Sequence, residues 1–444
     1  MLLKIILLSL FISPFILIGQ TNTNNPFTSR GLGELNPLSH SIFGGLGNVS
    51  TPLIDSAQLN SENPSSYSFL GKGQPIFSIG LTSSFSNFKQ NSLTSIANFI
   101  SLNHFTLGMS VSNRFGICFG LKPYSSTGYQ LKGDQISGVD TLHYSYSGSG
   151  GYSNAYFGFS YKLLQIHKHT VSLGTNIGYI FGVATNEIVT SLSSSSIGGI
   201  RERTQQIKSA NFDFGASYQY KINRDHAFVF GGTYSPSQLY STVNTNSLIY
   251  ALSTSNVLGN DTLKYIKSIG NIHSPSIYSV GFKYDFTQNN KSNRNSDRSP
   301  QLQLSGELRM VDWKSYSTTQ TTTDLLYSTI QYGIGFQFAP HYDFLDRSKN
   351  INLIHRMKYR VGAVYQTLPW KDNNVQLTNK AITFGFGIPI ISQFSSSSIN
   401  ISCLYGQKWN GNVATLKENY LTVNFGVNIT PASYERWFKK NKID

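Results

Sequence analysis

From Asn211 to Pro236 the chain reads NFDFGASYQYKINRDHAFVFGGTYSP, and its side chains alternate with a period of two. Phe212, Phe214, Ala216, Tyr218 and Tyr220 fall on one side. Asn211, Asp213, Gly215, Ser217, Gln219 and Lys221 fall on the other. Successive side chains of a strand point to opposite faces, so one face is aromatic and the other polar or glycine. Asn223-Arg224-Asp225 supplies a polar turn, and the alternation resumes from Ala227 to Tyr234. One such hairpin fits many sheets. Repeated end to end, with apolar residues outward and polar ones inward, it describes a barrel closed within a membrane.

The repetition is present. Strands are expected at 76–87, 98–111, 114–123, 150–163, 169–182, 209–221, 225–236, 275–286, 300–312, 326–338, 351–366, 377–390, 398–408 and 419–430. Tyr278, Val280, Phe282, Tyr284 and Phe286, for example, oppose Ser279, Gly281, Lys283 and Asp285. Leu421, Val423, Phe425, Val427 and Ile429 oppose Thr422, Asn424, Gly426, Asn428 and Thr430. The connections alternate too. Short turns at Asn113, Leu164–Lys168 and Asn223-Arg224 separate longer stretches at 124–149, 183–208, 237–274 and 313–325, which read as loops. Short periplasmic turns, long outer loops and an even strand count belong to outer-membrane barrels. The fold class is therefore all-β, a transmembrane antiparallel β-barrel of about 14 strands spanning 76–430, in a Gram-negative outer membrane. A soluble double sheet whose aromatic faces meet is the competing arrangement. Closure favours the barrel, because it leaves no sheet edge exposed.

Composition agrees. Charged residues make up 13% of the chain, about half the usual share for a soluble protein. After the first residues, no apolar run approaches the length that a spanning helix needs. Met1 to Gly19 carries Lys4 and then an apolar core, which reads as a signal peptide over 1–19; a retained anchor is the alternative, opposed by Pro14. Residues 20–75 are rich in Asn, Ser, Gly and Pro, yet carry Phe27, Leu32, Leu35, Ile42, Phe43, Leu46, Val49 and Ile54. That is too apolar for a disordered tail and too irregular for a strand, so a compact plug inside the lumen is expected. Residues 431–444 follow the last strand as a periplasmic tail. Cys118 and Cys403 lie far apart within expected strands, and free thiols suit their neighbours better than a disulfide.

The net charge of +14 is spread over turns and chain ends rather than gathered on one element, so nucleic acid is not the expected counter-charge. Outer-membrane lipid and lipopolysaccharide headgroups suit it better. No spacing of His or Cys matches a metal site, no Ser–His pairing singles itself out as a nucleophile, and no cofactor is called for. The chain reads as a non-enzyme. Strand parity sends Asp213, Lys221, Lys283, Asp285, Glu307, Arg309, Lys358 and Arg360 toward the lumen. Two roles are open to them: holding the plug by ion pairs and hydrogen bonds, or meeting an anionic ligand headgroup. Within RFGICFGLKPYSSTGYQL (Arg114–Leu131), Pro123 enters a strand already under way, flanked by Gly120 and Gly128. Proline removes a ladder hydrogen bond, so it either kinks the wall there or ends the strand.

Several runs resemble the FadL-type family of outer-membrane transporters for hydrophobic compounds, in particular its Bacteroidetes branch. These are SRGLGEL (Ser29–Leu35), GGLGN (Gly44–Asn48), Asn63-Pro64-Ser65-Ser66, GLKPYSSTGY (Gly120–Tyr129) and YERWFKKNKID (Tyr434–Asp444). Asn63 and Pro64 match the family's Asn-Pro-Ala-type hatch box, with Ser65 standing where Ala is usual. The resemblance implies an N-terminal hatch inside a fourteen-stranded barrel. It also implies passive uptake of hydrophobic, long-chain fatty-acid-like compounds, with lateral release into the membrane near Gly120, Pro123 and Gly128. Bacteroidetes relatives also serve type 9 secretion, so an accessory or plug barrel bound to a large outer-membrane secretion protein is the alternative function.

Overall fold

The computed structural model describes residues 23, 25–35, 40–137, 140–193, 198–251, 261–288, 300–319, 326–340, 352–372, 374–390, 397–412 and 415–431. The expected leader and the closing Tyr434–Asp444 run lie outside these residues.

Among the described residues, nineteen strands form one sheet. A short β1 (Glu34–Leu35) precedes β2 (Ile76–Gln90), β3 (Leu93–Ser110), β4 (Phe115–Ser126), β5 (Tyr129–Ser137), β6 (Asp140–Ile166), β7 (His169–Leu192) and β8 (Gly198–Lys221). Next come β9 (His226–Ser235), β10 (Leu239–Ala251), β11 (Asp261–His273), β12 (Ser276–Thr287), β13 (Gln301–Asp312) and β14 (Ser317–Thr318). The chain ends with β15 (Thr329–Ala339), β16 (Lys358–Asp372), β17 (Val375–Pro389), β18 (Ser398–Trp409) and β19 (Lys417–Ile429).

Fourteen of these make a closed antiparallel ring, running β2, β3, β4, β6, β7, β8, β9, β12, β13, β15, β16, β17, β18, β19 and back to β2. The closing ladder pairs Lys417 with Lys89 at one end and Ile429 with Phe77 at the other. Each ring strand overlaps one of the fourteen expected from the alternation. The outward face is apolar along the whole ring. Phe85, Phe157, Phe214, Phe230, Val280, Ile334, Phe384 and Tyr405 are all exposed, as a lipid-facing band requires. Inward positions such as Ser160, Ser172, Ser305 and Thr383 are buried.

The long stretches expected as loops are largely strand. β6, β7 and β8 continue far past the membrane band, and their ladder runs from Tyr220 opposite His169 to Gly198 opposite Ser191. Above β9, the β10–β11 hairpin takes over as the neighbour of β8, pairing Thr242 with Ile207 through to Ala251 with Gly198. β5 pairs with the upper part of β6. Both faces of this upper tier meet water, so the apolar–polar alternation that marks a membrane strand is absent there, and the sequence resembles loop.

Residues 40–70 lie inside the ring. The segment has little regular structure: one helical turn at Ser41–Gly44, capped by the His40 side chain, and one 3-10 helix at Pro64–Phe69, capped by Asn63. Residues 25–35 pack toward the upper rim, where Phe27 stacks on Trp370 at 5.3 Å and Leu32 enters a cluster with Tyr152, Ile180 and Tyr240.

Candidate functional site: an inner segment and a break in the wall

Between Ser41 and Tyr67 the inner segment follows the wall around its circumference, and inward-facing glycines make room for it. Added Cβ atoms at these glycines would strike the segment at one strand after another. Gly426 on β19 would meet Ser41, Gly385 on β17 would meet Gly45, and Gly362 on β16 and Gly333 on β15 would meet Gly47. The order continues with Gly281 on β12 against Pro52, Gly231 on β9 against Thr51, and Gly215 on β8 against Asn63 and Pro64. Gly174 on β7 lies under Pro64, and Gly158 on β6 and Gly116 on β4 lie under Tyr67. The segment thus circles the lumen in the reverse of strand order, backbone close to backbone. Gly47 itself has a φ of 65°, which is costly for any residue with a side chain.

The inward charges fasten this ring. Glu307 accepts the backbone N–H groups of Ser50 at 2.7 Å and Thr51 at 2.8 Å. Lys283 donates to the Ile54 carbonyl at 3.1 Å and pairs with Asp285 at 2.7 Å. Lys358 lies 3.8 Å from Asp55 of the segment. Arg360 is held by Gln337 at 2.8 Å and Asn400 at 3.0 Å, beneath Gly45. Asp213 stays within the wall, accepting from Ser235 and Asn211, and lines a cavity. Lys221, grouped with these by parity, is exposed beside the turn. Burial of Glu307, Lys283, Lys358 and Arg360 is tolerable because each finds a partner.

Asn63 is the hub of the segment. Its side chain accepts from Ser65 N at 3.1 Å and from the Ser65 hydroxyl at 2.7 Å. It donates to the Thr51 carbonyl at 2.7 Å and to Ser217 at 3.2 Å, tying two arms of the segment to β8. The Ser65 hydroxyl, in turn, lies 2.6 Å from that of Ser217. Serine at this position therefore adds a wall contact that alanine lacks.

The wall breaks between β3 and β4. Their ladder begins at Ser110 opposite Gly116 and stops at Phe105 opposite Leu121. Gly120 sits just before the end, packed under the Phe105 carbonyl and the Tyr156 hydroxyl. At Pro123 the pairing with β6 shifts by one residue, and Ser125 and Ser126 turn their other edge to Leu35 and Glu34 of β1. β4 thus exchanges β3 for the inner segment on one edge while keeping β6 on the other. Gly128 lies past the break: its carbonyl accepts from Asn25 N at 2.7 Å, and its N–H donates to Thr28 at 3.1 Å. It anchors the start of the inner segment.

Both lips of the break are tied to that segment. On β4, Lys122 pairs with Glu62 at 3.0 Å. On β3, His104 stacks on His40 with ring centroids 4.2 Å apart, and Ser78 contacts both rings. His40 is held well below its ordinary pKa by burial, by the His104 ring and by the Arg360 charge. For Glu62, burial pushes the pKa up, but Lys122 and Arg309 outweigh it and leave the carboxyl below its usual value.

Two cavities adjoin the break. The lower, about 110 Å³, is lined by His40, Glu62, Asn103, His104, Lys122 and Pro123 among others. The upper, about 190 Å³, reaches Phe99 and Ser101 of β3, and its lining combines Trp313, Leu368, Trp370 and Leu404 with the polar Lys408, Glu418 and Tyr420. Leu35 and Arg309 line both. Among the described residues no cluster of His, Cys, Asp or Glu could hold a metal. Cys118 and Cys403 are free thiols.

A closed fourteen-stranded barrel with a lipid-facing band, its lumen occupied by its own N-terminal segment, is a transmembrane β-barrel of the FadL-type architecture. The chain belongs to the BamG family, whose profile matches residues 1–444. No curated protein matches it in sequence. Among solved structures it is similar to a Pseudomonas aeruginosa FadL homologue, with a TM-score of 0.54 and 11% identity over 90% of this chain and 99% of that one. The Ralstonia pickettii toluene transporter TbuX aligns with a TM-score of 0.51 and 12% identity over 90% and 99%. The CymD monoaromatic hydrocarbon channel aligns with a TM-score of 0.50 and 12% identity over 91% and 100%. At such identities the likeness concerns the fold.

Proposed function

We propose that the chain is a passive outer-membrane channel for hydrophobic compounds, which enter the upper cavity and leave sideways between β3 and β4. The observation that carries this reading is the coincidence of three features at one place. The wall ladder ends at Phe105 and Leu121, two cavities that share Leu35 and Arg309 adjoin it, and the glycine-seated segment circles the lumen beside them. The structural neighbours named for hydrocarbon and toluene transport add support through their shared fold. An engineered apolar cavity of about 150 Å³ accommodates benzene, so the upper cavity suits a single-ring compound. A long-chain fatty-acid-like molecule would need to extend its tail past Phe99 into the break.

Trp313 and Trp370 make this measurable. Purified protein titrated with toluene, and separately with a long-chain fatty acid, should show saturable quenching of tryptophan fluorescence that Trp370→Ala weakens. Uptake of the quenching compound should fall in cells lacking the chain. Absence of quenching by either class, with uptake unchanged on deletion, would overturn the reading.

A further inference from the structure

The lipid-facing side of the wall carries a groove of about 680 Å³ across β12, β13, β15 and β16. Two adjacent rows of the ladder build it. In the lower row Phe282, Gly306, Ile334 and Ala363 stand side by side. Gly306 and Ala363 leave hollows on either side of Ile334, and the Phe282 ring leans over the first. In the upper row Tyr332 pairs with Tyr365, and Tyr365 with the exposed Lys380 on β17. All four strands are paired on both edges through these rows, so no backbone donor or acceptor is left for a guest strand. β9 rises from the short turn at Asn223, so by antiparallel order β17 descends to its lower end at Pro389. At about 3.3 Å per residue and a strand tilt of about 40°, Lys380 stands roughly 23 Å above that end, near the top of an apolar band about 25 Å tall. Its ammonium lies 5.9 Å from the centre of the Tyr365 ring, and among the described residues no carboxylate pairs with it.

We infer that this groove is a binding site for a lipopolysaccharide of the outer leaflet, with one acyl chain in the groove and a phosphate of its lipid anchor on Lys380. An apolar groove whose backbone is fully paired offers contact to hydrocarbon and nothing to a polar guest. An ammonium without a carboxylate, held at headgroup height, calls for an anion. Tyr332 and Tyr365 mark that height, as the aromatic girdle of a barrel does. One molecule that supplies both halves is an amphiphile with an anionic head, its tail pointing down the wall from Lys380. The height selects the leaflet: an inner-leaflet phospholipid would carry its phosphate at the other end of the band, away from Lys380. This goes beyond the channel reading and does not depend on it, because the groove opens to lipid on the outside of the wall.

The test offers the full chain, in mild detergent, an equal mixture of lipopolysaccharide and an anionic phospholipid, and counts by native mass spectrometry what survives stepwise delipidation. Heat-modifiable migration on gels verifies that each variant folds. The expected result is one lipopolysaccharide retained per chain after the phospholipid is gone. Retention should fall at least tenfold in Lys380→Gln, in Ala363→Trp, which fills the groove, and with a lipopolysaccharide stripped of its lipid phosphates. Lys380→Arg should keep it, as should Lys132→Gln on the exposed face of β5. Equal retention of phospholipid, retention of neither lipid, or a bound protein in place of lipid would each overturn the inference. So would lipopolysaccharide that stays bound in either Lys380→Gln or Ala363→Trp, or that is lost equally in Lys132→Gln.

Discussion

Lys122 on β4 and Glu62 on the inner segment meet at 3.0 Å, one residue from the point where β4 parts from β3. The pair joins a lip of the break to the segment that fills the lumen. Both side chains keep about a fifth to a quarter of their surface accessible, so the full cost of breaking a buried pair does not apply. Lys122→Ala should weaken docking of the segment by about 1–2 kcal/mol. Limited proteolysis within 52–75 is the readout, with cleavage in the variant several-fold faster than in the parent chain.

Glu307 receives two backbone N–H groups that have no other acceptor within the segment's own turns. Glu307→Ala leaves both donors buried and unmet and should cost about 2–4 kcal/mol. Glu307→Gln retains one acceptor oxygen and should lose roughly half of that. Denaturant unfolding followed by gel mobility distinguishes the two.

Gly47 has positive φ, and a side chain there would press on the carbonyl oxygens of Ile334 and Ala363. Gly47→Val should displace the segment from β15 and β16 while leaving the outer wall intact. Planar-bilayer recordings should then show a stable conductance well above that of the parent. An unchanged conductance would mean that the ring does not block the lumen at this level.

Acid should loosen the segment. Docked His40 holds its proton less tightly than the free side chain, so its contribution is complete above about pH 6.5 and declines as pH falls below that. Glu62 is also lowered, so its contribution is complete above about pH 4.3 and is lost as pH falls further. Hydrogen exchange over residues 41–70, corrected for intrinsic rates, should show protection falling in two stages on acidification, and His40→Gln should remove the first.

The barrel was legible because lipid on one side and polar filling on the other imprint a strict alternation on every spanning strand, as from Phe212 to Tyr220. The height of the wall was not. Thr190, Arg201 and Arg203 stand in ladders above the membrane, where water on both faces removes the pattern. Inward placement of Glu307, Lys283, Lys358 and Arg360 followed from parity; the first three meet the inner segment, and Arg360 is held by wall side chains. The partners of Glu307 and Lys283 on the segment were hidden, because they are backbone groups of an irregular stretch with no period of its own. The glycines were visible but mute: Gly215, Gly281 and Gly333 read as gaps in a polar face until the chain lying on them is seen.

That circling path has a consequence for assembly. Ser41 near β19 and Tyr67 near β4 and β6 lie at opposite ends of the strand series, yet only 26 residues separate them in the chain. The segment precedes every wall strand in sequence, so it is available as a template when they arrive. Strands that pair around it acquire register from its contacts, whereas entry after closure would have to thread an irregular chain past a finished ring of side chains. Barrel closure and segment docking should therefore occur as one slow, highly non-local event, and a chain lacking residues 41–67 should fail in zipping β19 to β2 rather than yield an open pore.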